Sequence, residues 1–291
     1  MVTSLFDCFF QSYILMKTII ALFSLFCAFQ LAPPQTYKMS YRLVYQPDST
    51  NRQRVASETF FLYLDKGASS VFGSESRFKS DSIRDLVNKG VLSQYIQMDS
   101  KYRFKTDFKY FVCKNYAKAE TIVYESISTD RFKYNVQNPL NWKILAEQDS
   151  IAGYACTKAT TNYAGRNYEA WFTAEIPVSD GPYVFSGLPG LVVKLYDTRN
   201  HYVFTLQSFQ EYKEARIDNP IYMTSLPIQI DQAKIISLRT EFRKDRLGYM
   251  SRSTGRDFKN ATVTTPDGVT KPASEARVNR SWDNNPLELR K

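Results

Sequence analysis

The chain has 291 residues, 43% hydrophobic and 15% aromatic, with 38 Lys and Arg against 29 Asp and Glu for a formal charge of +9. That length allows one large domain or two small ones, and aromatics that are chiefly 20 Tyr and 20 Phe suit pleated, half-buried strands. A single histidine, with no His-Glu-x-x-His, Cys-x-x-Cys, phosphate loop or Gly-x-Gly-x-x-Gly, removes the usual metal, redox and nucleotide signatures, and no cofactor is expected.

Residues 1–35 read as a signal peptide region. Met16-Lys17 precedes an apolar run over 19–29, and Gln30-Leu31-Ala32-Pro33-Pro34 follows. The run is shorter than the roughly 20 apolar residues that span a bilayer. Residues 1–15 hold Asp7 and no cation, so Met16 is read as the true start, and the bulky Phe26 before Cys27 argues against lipoprotein processing. Export sets nucleic acid aside as a partner and leaves an anionic membrane surface as one the basic charge suits. In an oxidising compartment the remaining pair, Cys113 and Cys156, forms either a disulfide or two buried thiols.

From residue 36 the pattern alternates with period 2. Residues 37–45, 101–110 and 131–136 each place apolar side chains on one face and polar ones on the other, the signature of antiparallel strands. Further strands are predicted over 57–64, 70–75, 121–127, 142–147, 154–160, 168–175, 191–197 and 202–209. Turn residues at 65–67, 164–167 and 197–200 separate several of them at hairpin distance. Helices are predicted over 80–89, stopping at Gly90, and over 231–247, opening on a capping Asp231 and closing at Gly248. The expected fold is mainly β (α+β): an antiparallel meander forming an open or half barrel over 36–250, with two accessory helices. Residues 251–291 are small, polar, charged and interrupted by Pro266, Pro272 and Pro286, and are expected to be a mostly disordered tail.

Candidate chemistry is sparse. Any Ser-His-Asp or Cys-His arrangement must use His201, which lies in a turn between two strands, so no catalytic residue is assigned and the chain is read as leaning away from an enzyme. The distinctive segment is 153–209. It holds Trp171-Phe172 in a strand, then Gly181-Pro182-Tyr183-Val184-Phe185-Ser186-Gly187-Leu188-Pro189-Gly190-Leu191-Val192. Gly187 and Gly190 can supply positive φ or a close backbone approach, Pro189 fixes its own φ, and Leu188 and Leu191 can plug a core on either side. One reading is a rigid loop that lets the meander close. The other makes these residues, with Trp171, Phe172, Tyr183 and Phe185, the wall of a groove.

This segment resembles the signature of the GLPGLI family, exported proteins of Gram-negative bacteria, with Val192 in place of the final Ile. The Gly153-Tyr154-x-Cys156-x-Lys158-Ala159 strand, Ala170-Trp171-Phe172, Ile176-Pro177 and the Gly-Pro-Tyr lead-in carry the resemblance across 140–210. It implies a periplasmic or outer-envelope location and a β-rich fold, and transfers no catalytic residue. Three functions follow as expectations: a binding or carrier protein for an apolar ligand or peptide, an accessory protein docking an envelope complex, or a hydrolase.

Overall fold

The computed structural model describes residues 36–65, 68–93, 95–96, 99–136, 140–212, 226–258, 260–264, 268–273 and 285–289. The signal-like region 1–35 lies outside them.

Alternation becomes a ladder almost wherever it is predicted. The strands are β1 (Thr36–Tyr45), β2 (Ala56–Asp65), β3 (Ser69–Ser74), β4 (Tyr110–Asn115), β5 (Glu120–Ile127) and β6 (Asp130–Asn135). They continue with β7 (Lys143–Ile151), β8 (Tyr154–Tyr163), β9 (Arg166–Thr173), β10 (Leu191–Asp197), β11 (Tyr202–Tyr212) and β12 (Ile228–Gln229). All belong to one 12-stranded sheet in the order β12-β6-β5-β4-β3-β2-β1-β11-β10-β9-β8-β7. Two meanders are thus joined at β1, which pairs antiparallel with both β2 and β11. The sheet is open, with β12 and β7 at its ends. Two-residue turns set two hairpin registers: Ala152-Gly153 and Ala164-Gly165 hold φ of 51°, 85°, 47° and 83°, the left-handed geometry that matches strand twist. A small hairpin of β13 (Thr262–Thr264) and β14 (Thr270–Pro272) stands apart from this sheet.

One face of the sheet carries the core. Met39, Tyr41 and Leu43 on β1, Phe60 and Leu62 on β2, Phe72 on β3, Val112 on β4, Val123 on β5 and Tyr134 on β6 are all fully buried. The opposite face is partly covered by α1 (Glu75–Asn88), where Phe78 packs on Phe61, Tyr63 and Phe111. Ser74 caps α1 by accepting from the Arg77 N–H at 3.2 Å, so the helix starts five residues before the predicted Ser80.

Two predictions on the elements are corrected. The stretch 101–110 keeps its alternation of exposure, with Lys101, Arg103, Lys105 and Lys109 outward and Phe108 and Tyr110 buried. It has no strand partner until β4 begins at Tyr110, because two-faced exposure does not require a ladder. The helix predicted over 231–247 is two helices, α2 (Gln232–Lys244) and α3 (Arg246–Thr254). The Asp245 carboxylate accepts from the Gly248 N–H at 2.8 Å and so starts a new helix where Gly248 was expected to end one. A Cβ on Gly248 would fall 1.8 Å from that carboxylate, so glycine here admits the cap.

Candidate functional site

The segment between β9 and β10 crosses the core face and ties the two meanders together. Buried Asp180 accepts from Lys114 Nζ and from the Tyr116 hydroxyl, both reached from the β4 end of the sheet. Lys114 also donates to the carbonyls of Gly181 at 2.9 Å and Phe185 at 3.4 Å. Burial pulls the Lys114 pKa down, opposed by the adjacent Asp180 charge. From β1, the Tyr41 hydroxyl donates to the Val192 carbonyl at 2.7 Å.

The GLPGLV string is the hinge of this crossing. Leu188 and Leu191 are buried in the core cluster, while Pro189 is exposed. Gly187 has φ of 95°. Gly190 has φ of 149°, and a Cβ there would lie 2.0 Å from the Thr173 carbonyl oxygen, so the chain can pass β9 only as glycine. Trp142 Nε1 donates to the Ser186 carbonyl at 2.8 Å and holds the other side.

The open groove wall expected from these aromatics is corrected. Tyr183 and Phe185 are buried in the core, packed on Tyr110, Tyr163 and Tyr168. Trp171 and Phe172 lie on opposite faces of β9: Phe172 is in the core, whereas Trp171 faces out with Lys158 Nζ 5.9 Å from its ring centroid. Of the two readings left open for the cysteine pair, the structure holds the free thiols. Cys113 and Cys156 are free thiols on β4 and β8, with six strands between them in the sheet order, and burial pushes the Cys113 thiol up to about 12.

What lies against this surface is a segment from the predicted disordered tail. Residues 285–289 thread into the core face, with Asn285 and Glu288 only 3% and 2% exposed. Three consecutive carbonyls are held by sheet side chains. Tyr202 Oη donates to that of Asn285, Arg166 Nη2 to that of Pro286 at 2.6 Å, and Tyr168 Oη to that of Leu287 at 3.2 Å. The Asn285 side chain is read both ways: its amide donates to the Gln46 carbonyl at 2.6 Å and its oxygen accepts from Arg166 Nη2 at 2.6 Å. Main-chain bonds mark the two ends, Asn285 N–H to the Pro47 carbonyl at 3.3 Å and Leu289 N–H to that of Ala164 at 2.9 Å.

The Glu288 carboxylate is the most heavily contacted group of the segment. One oxygen accepts from Tyr163 and Tyr183 hydroxyls, each at 2.7 Å, and from Gln232 Nε2 at 3.2 Å. The other accepts from Arg239 Nη1 at 2.6 Å. Burial would raise its pKa, but Arg239 and the two tyrosine hydroxyls outweigh that and hold it below the ordinary glutamate range. Arg239 also reaches Glu125 on β5, so one guanidinium serves two carboxylates.

Sequence reasoning missed Arg166, Arg239 and Glu288. A signal existed for Arg166, since alternation places it in register with Tyr168, Ala170 and Phe172 on the core face. A charge on that face needs a buried partner, here Asp197 at 2.9 Å. His201, the sole histidine, is half-buried with Nδ1 3.3 Å from Arg166 Nη1. Burial lowers its pKa, and Arg166 and Arg199 act in the same direction against Asp197. Two clefts among the described residues are open, one beside His201 between residues 44–55 and 198–201, the other between 118–121 and 135–136.

Residues 163–194, from the end of β8 through the crossing and its motif, match a family model described as "Protein of unknown function (Porph_ging)". No curated protein matches the chain significantly. Among solved structures, two crystal forms of PNGF-II align over 72% of this chain at 16% identity and a TM-score of 0.50, which is a likeness of fold. This chain spans about a third of the PNGF-II chains it matches, 34% and 33%. A LolA superfamily protein from Nitrosomonas europaea aligns over 66% of this chain and 91% of its own at 5% identity, with a TM-score of 0.26.

Proposed function

We propose that this chain is an exported, non-enzymatic envelope protein of the GLPGLI type that binds an extended peptide against the core face of its sheet. The observation that carries this reading is the hold on residues 285–289: three successive backbone carbonyls taken by Tyr202, Arg166 and Tyr168. Side-chain donors spaced along consecutive carbonyls read a main chain rather than an apolar molecule. The face offers little room for a lipid-like ligand, because Tyr183, Phe185 and Leu188 already fill it. The signal-like region and the match over the motif support export and the family type.

Docking to an envelope complex is the second reading, and β7 favours it. This strand ends the sheet and is exposed over most of its length, so its free edge can pair with a strand from a partner. Hydrolysis has no comparable support, since His201 faces Arg166 rather than a nucleophile.

Native mass spectrometry of the mature domain from a periplasm tests the first reading. A mass excess that vanishes on denaturation and sequences as peptide supports it. An excess that proves to be lipid overturns it, and a bare mass with cross-links through β7 transfers the role to docking.

A further inference from the structure

The surroundings of Glu288 decide which peptides the core face would take. We infer that the site selects an acidic peptide, with Arg239, Tyr163, Tyr183 and Gln232 forming a pocket for a carboxylate three residues after an asparagine. This inference rests on the peptide-binding reading and adds the chemistry of the occupant.

The pocket is assembled from distant parts of the chain. Tyr163 ends β8, Tyr183 belongs to the crossing, and Gln232 and Arg239 lie on α2. Their donors converge on the two oxygens of one side chain at 2.6–3.2 Å. All four groups present hydrogens, so an ionised carboxylate, which only accepts, satisfies them together. A glutamine would either aim its amide hydrogens at the arginine, donor against donor, or aim them at the tyrosines and force both hydroxyls to turn and accept. A lysine would meet Arg239 directly. Three residues upstream, the pair Gln46 carbonyl and Arg166 demands a group that donates and accepts at once, which an asparagine amide does. The proline between them has no N–H to leave unpaired while its carbonyl takes the Arg166 bond.

The segment that fills the pocket is held as a ligand would be. It belongs to neither the 12-stranded sheet nor the hairpin, and that sheet is paired from β12 to β7 without it. Most of its hydrogen bonds come from side chains, with main-chain bonds only at its two ends. A tethered segment competes at an effective concentration of roughly millimolar, so a free peptide of equal affinity is excluded until the tethered one is weakened.

The test uses the full chain carrying Asn285→Ala and Glu288→Ala together. Three blocked peptides, Asn-Pro-Leu-Glu-Leu and its Gln and Lys counterparts at the fourth position, are titrated by calorimetry. The Glu peptide is expected to bind about 10- to 100-fold more tightly than the Gln peptide, the ratio that hydrogen bonds to a charged group confer. The Lys peptide is expected not to bind. Adding Arg239→Met should bring the Glu and Gln peptides to within about 3-fold. Equal binding of all three peptides overturns the acidic preference and leaves the peptide reading standing; binding of none overturns both. If the double variant does not fold, the unaltered chain is examined by hydrogen exchange with each peptide in millimolar excess. Deprotection of the Leu289 amide by the Glu peptide alone supports the inference. Deprotection by Glu and Gln peptides alike overturns the preference, and deprotection by none overturns the binding.

Discussion

The core face has two halves that use aromatic rings differently. Around β1 to β4, Phe60 stacks on Phe72 at 5.1 Å and meets Phe108 and Phe204 edge-on at 5.2 and 5.7 Å, rings packing on rings. Around residues 285–288 the large rings are Tyr134, Tyr163, Tyr168, Tyr183 and Tyr202, and four of the five send their hydroxyls to that segment at ordinary hydrogen-bond range. The fifth, Tyr134, stands off at 3.5 Å from both Glu288 oxygens and accepts from Arg239 Nη2 at 3.1 Å. Apolar area dominates the first half, in amounts that any well-packed occupant would supply. The second is built around one polar main chain and one carboxylate. Buried hydroxyls stabilise only while each has its partner, so this half stores specificity where the other stores bulk.

The sharpest way to break the comparison is to cut the charge that joins the halves. Asp180→Ala leaves Lys114 buried without its counterion and Tyr116 without its acceptor. The expected loss is about 3–5 kcal/mol in urea denaturation at neutral pH. A loss below about 1 kcal/mol would mean that the crossing segment is held by its apolar residues alone. Next in size is Leu188→Ala, which empties a fully enclosed site in the motif and should cost about 2–5 kcal/mol. Pro189→Ala, one residue on and exposed, should cost under about 1 kcal/mol. Equal costs would show that the motif works through backbone stiffness and not through its leucine plug.

How much of this was readable beforehand follows from what alternation reports. Period 2 in residues 37–45 or 131–136 tells which side chains face inward, and the strands form there. It tells the same thing correctly for 101–108, where exposure alternates but no strand forms. Facing is a local property; pairing is not. Gly187 and Gly190 were legible for a related reason, since positive φ is a property of the residue itself. The buried segment was not legible. Asn285-Pro286-Leu287-Glu288-Leu289 has no period and sits in polar text, and its burial depends on Arg166, Arg239 and four tyrosines from elsewhere. Partners supplied through tertiary structure leave no mark on local composition. The groove reading of Trp171 and Phe172 failed on a rule already available, because adjacent strand residues point to opposite faces.

Glu288→Gln sharpens the comparison through pH. The folded pKa of Glu288 lies below its unfolded value, so its contribution is present above about pH 4.3 and is lost as pH falls through the folded value. At pH 7 the variant should be about 1.5–3 kcal/mol less stable than the unaltered chain, and the gap should close as the medium is acidified. A gap that stays constant down to pH 3 would show that the side chain acts by shape and not by charge.

A smaller effect than that of Glu288 is expected from a second buried carboxylate, and its sign is opposite. Asp81 on α1 is 6% exposed, and its oxygens accept no hydrogen bond among the described residues. Arg84 Nη1 lies 3.7 Å from one of them, and Arg77 on the same helix and Arg131 on β6 also bear on the carboxylate. Burial raises its pKa to about 6 against the pull of these three arginines. Here the folded state binds the proton more tightly than the unfolded one, so stability falls as pH rises from about 4 to about 6. Asp81→Asn should remove that slope and leave the variant about 1 kcal/mol more stable at pH 7, less than the shift alone would give because the amide forgoes attraction to the arginines. Denaturation midpoints taken every half unit across that window decide it. Four side chains donate to Glu288 within 3.2 Å, whereas Asp81 has charge nearby without a hydrogen bond. Burial with donors makes a carboxylate an anchor, and burial without them makes it a cost, so the two slopes should run in opposite directions in the same protein.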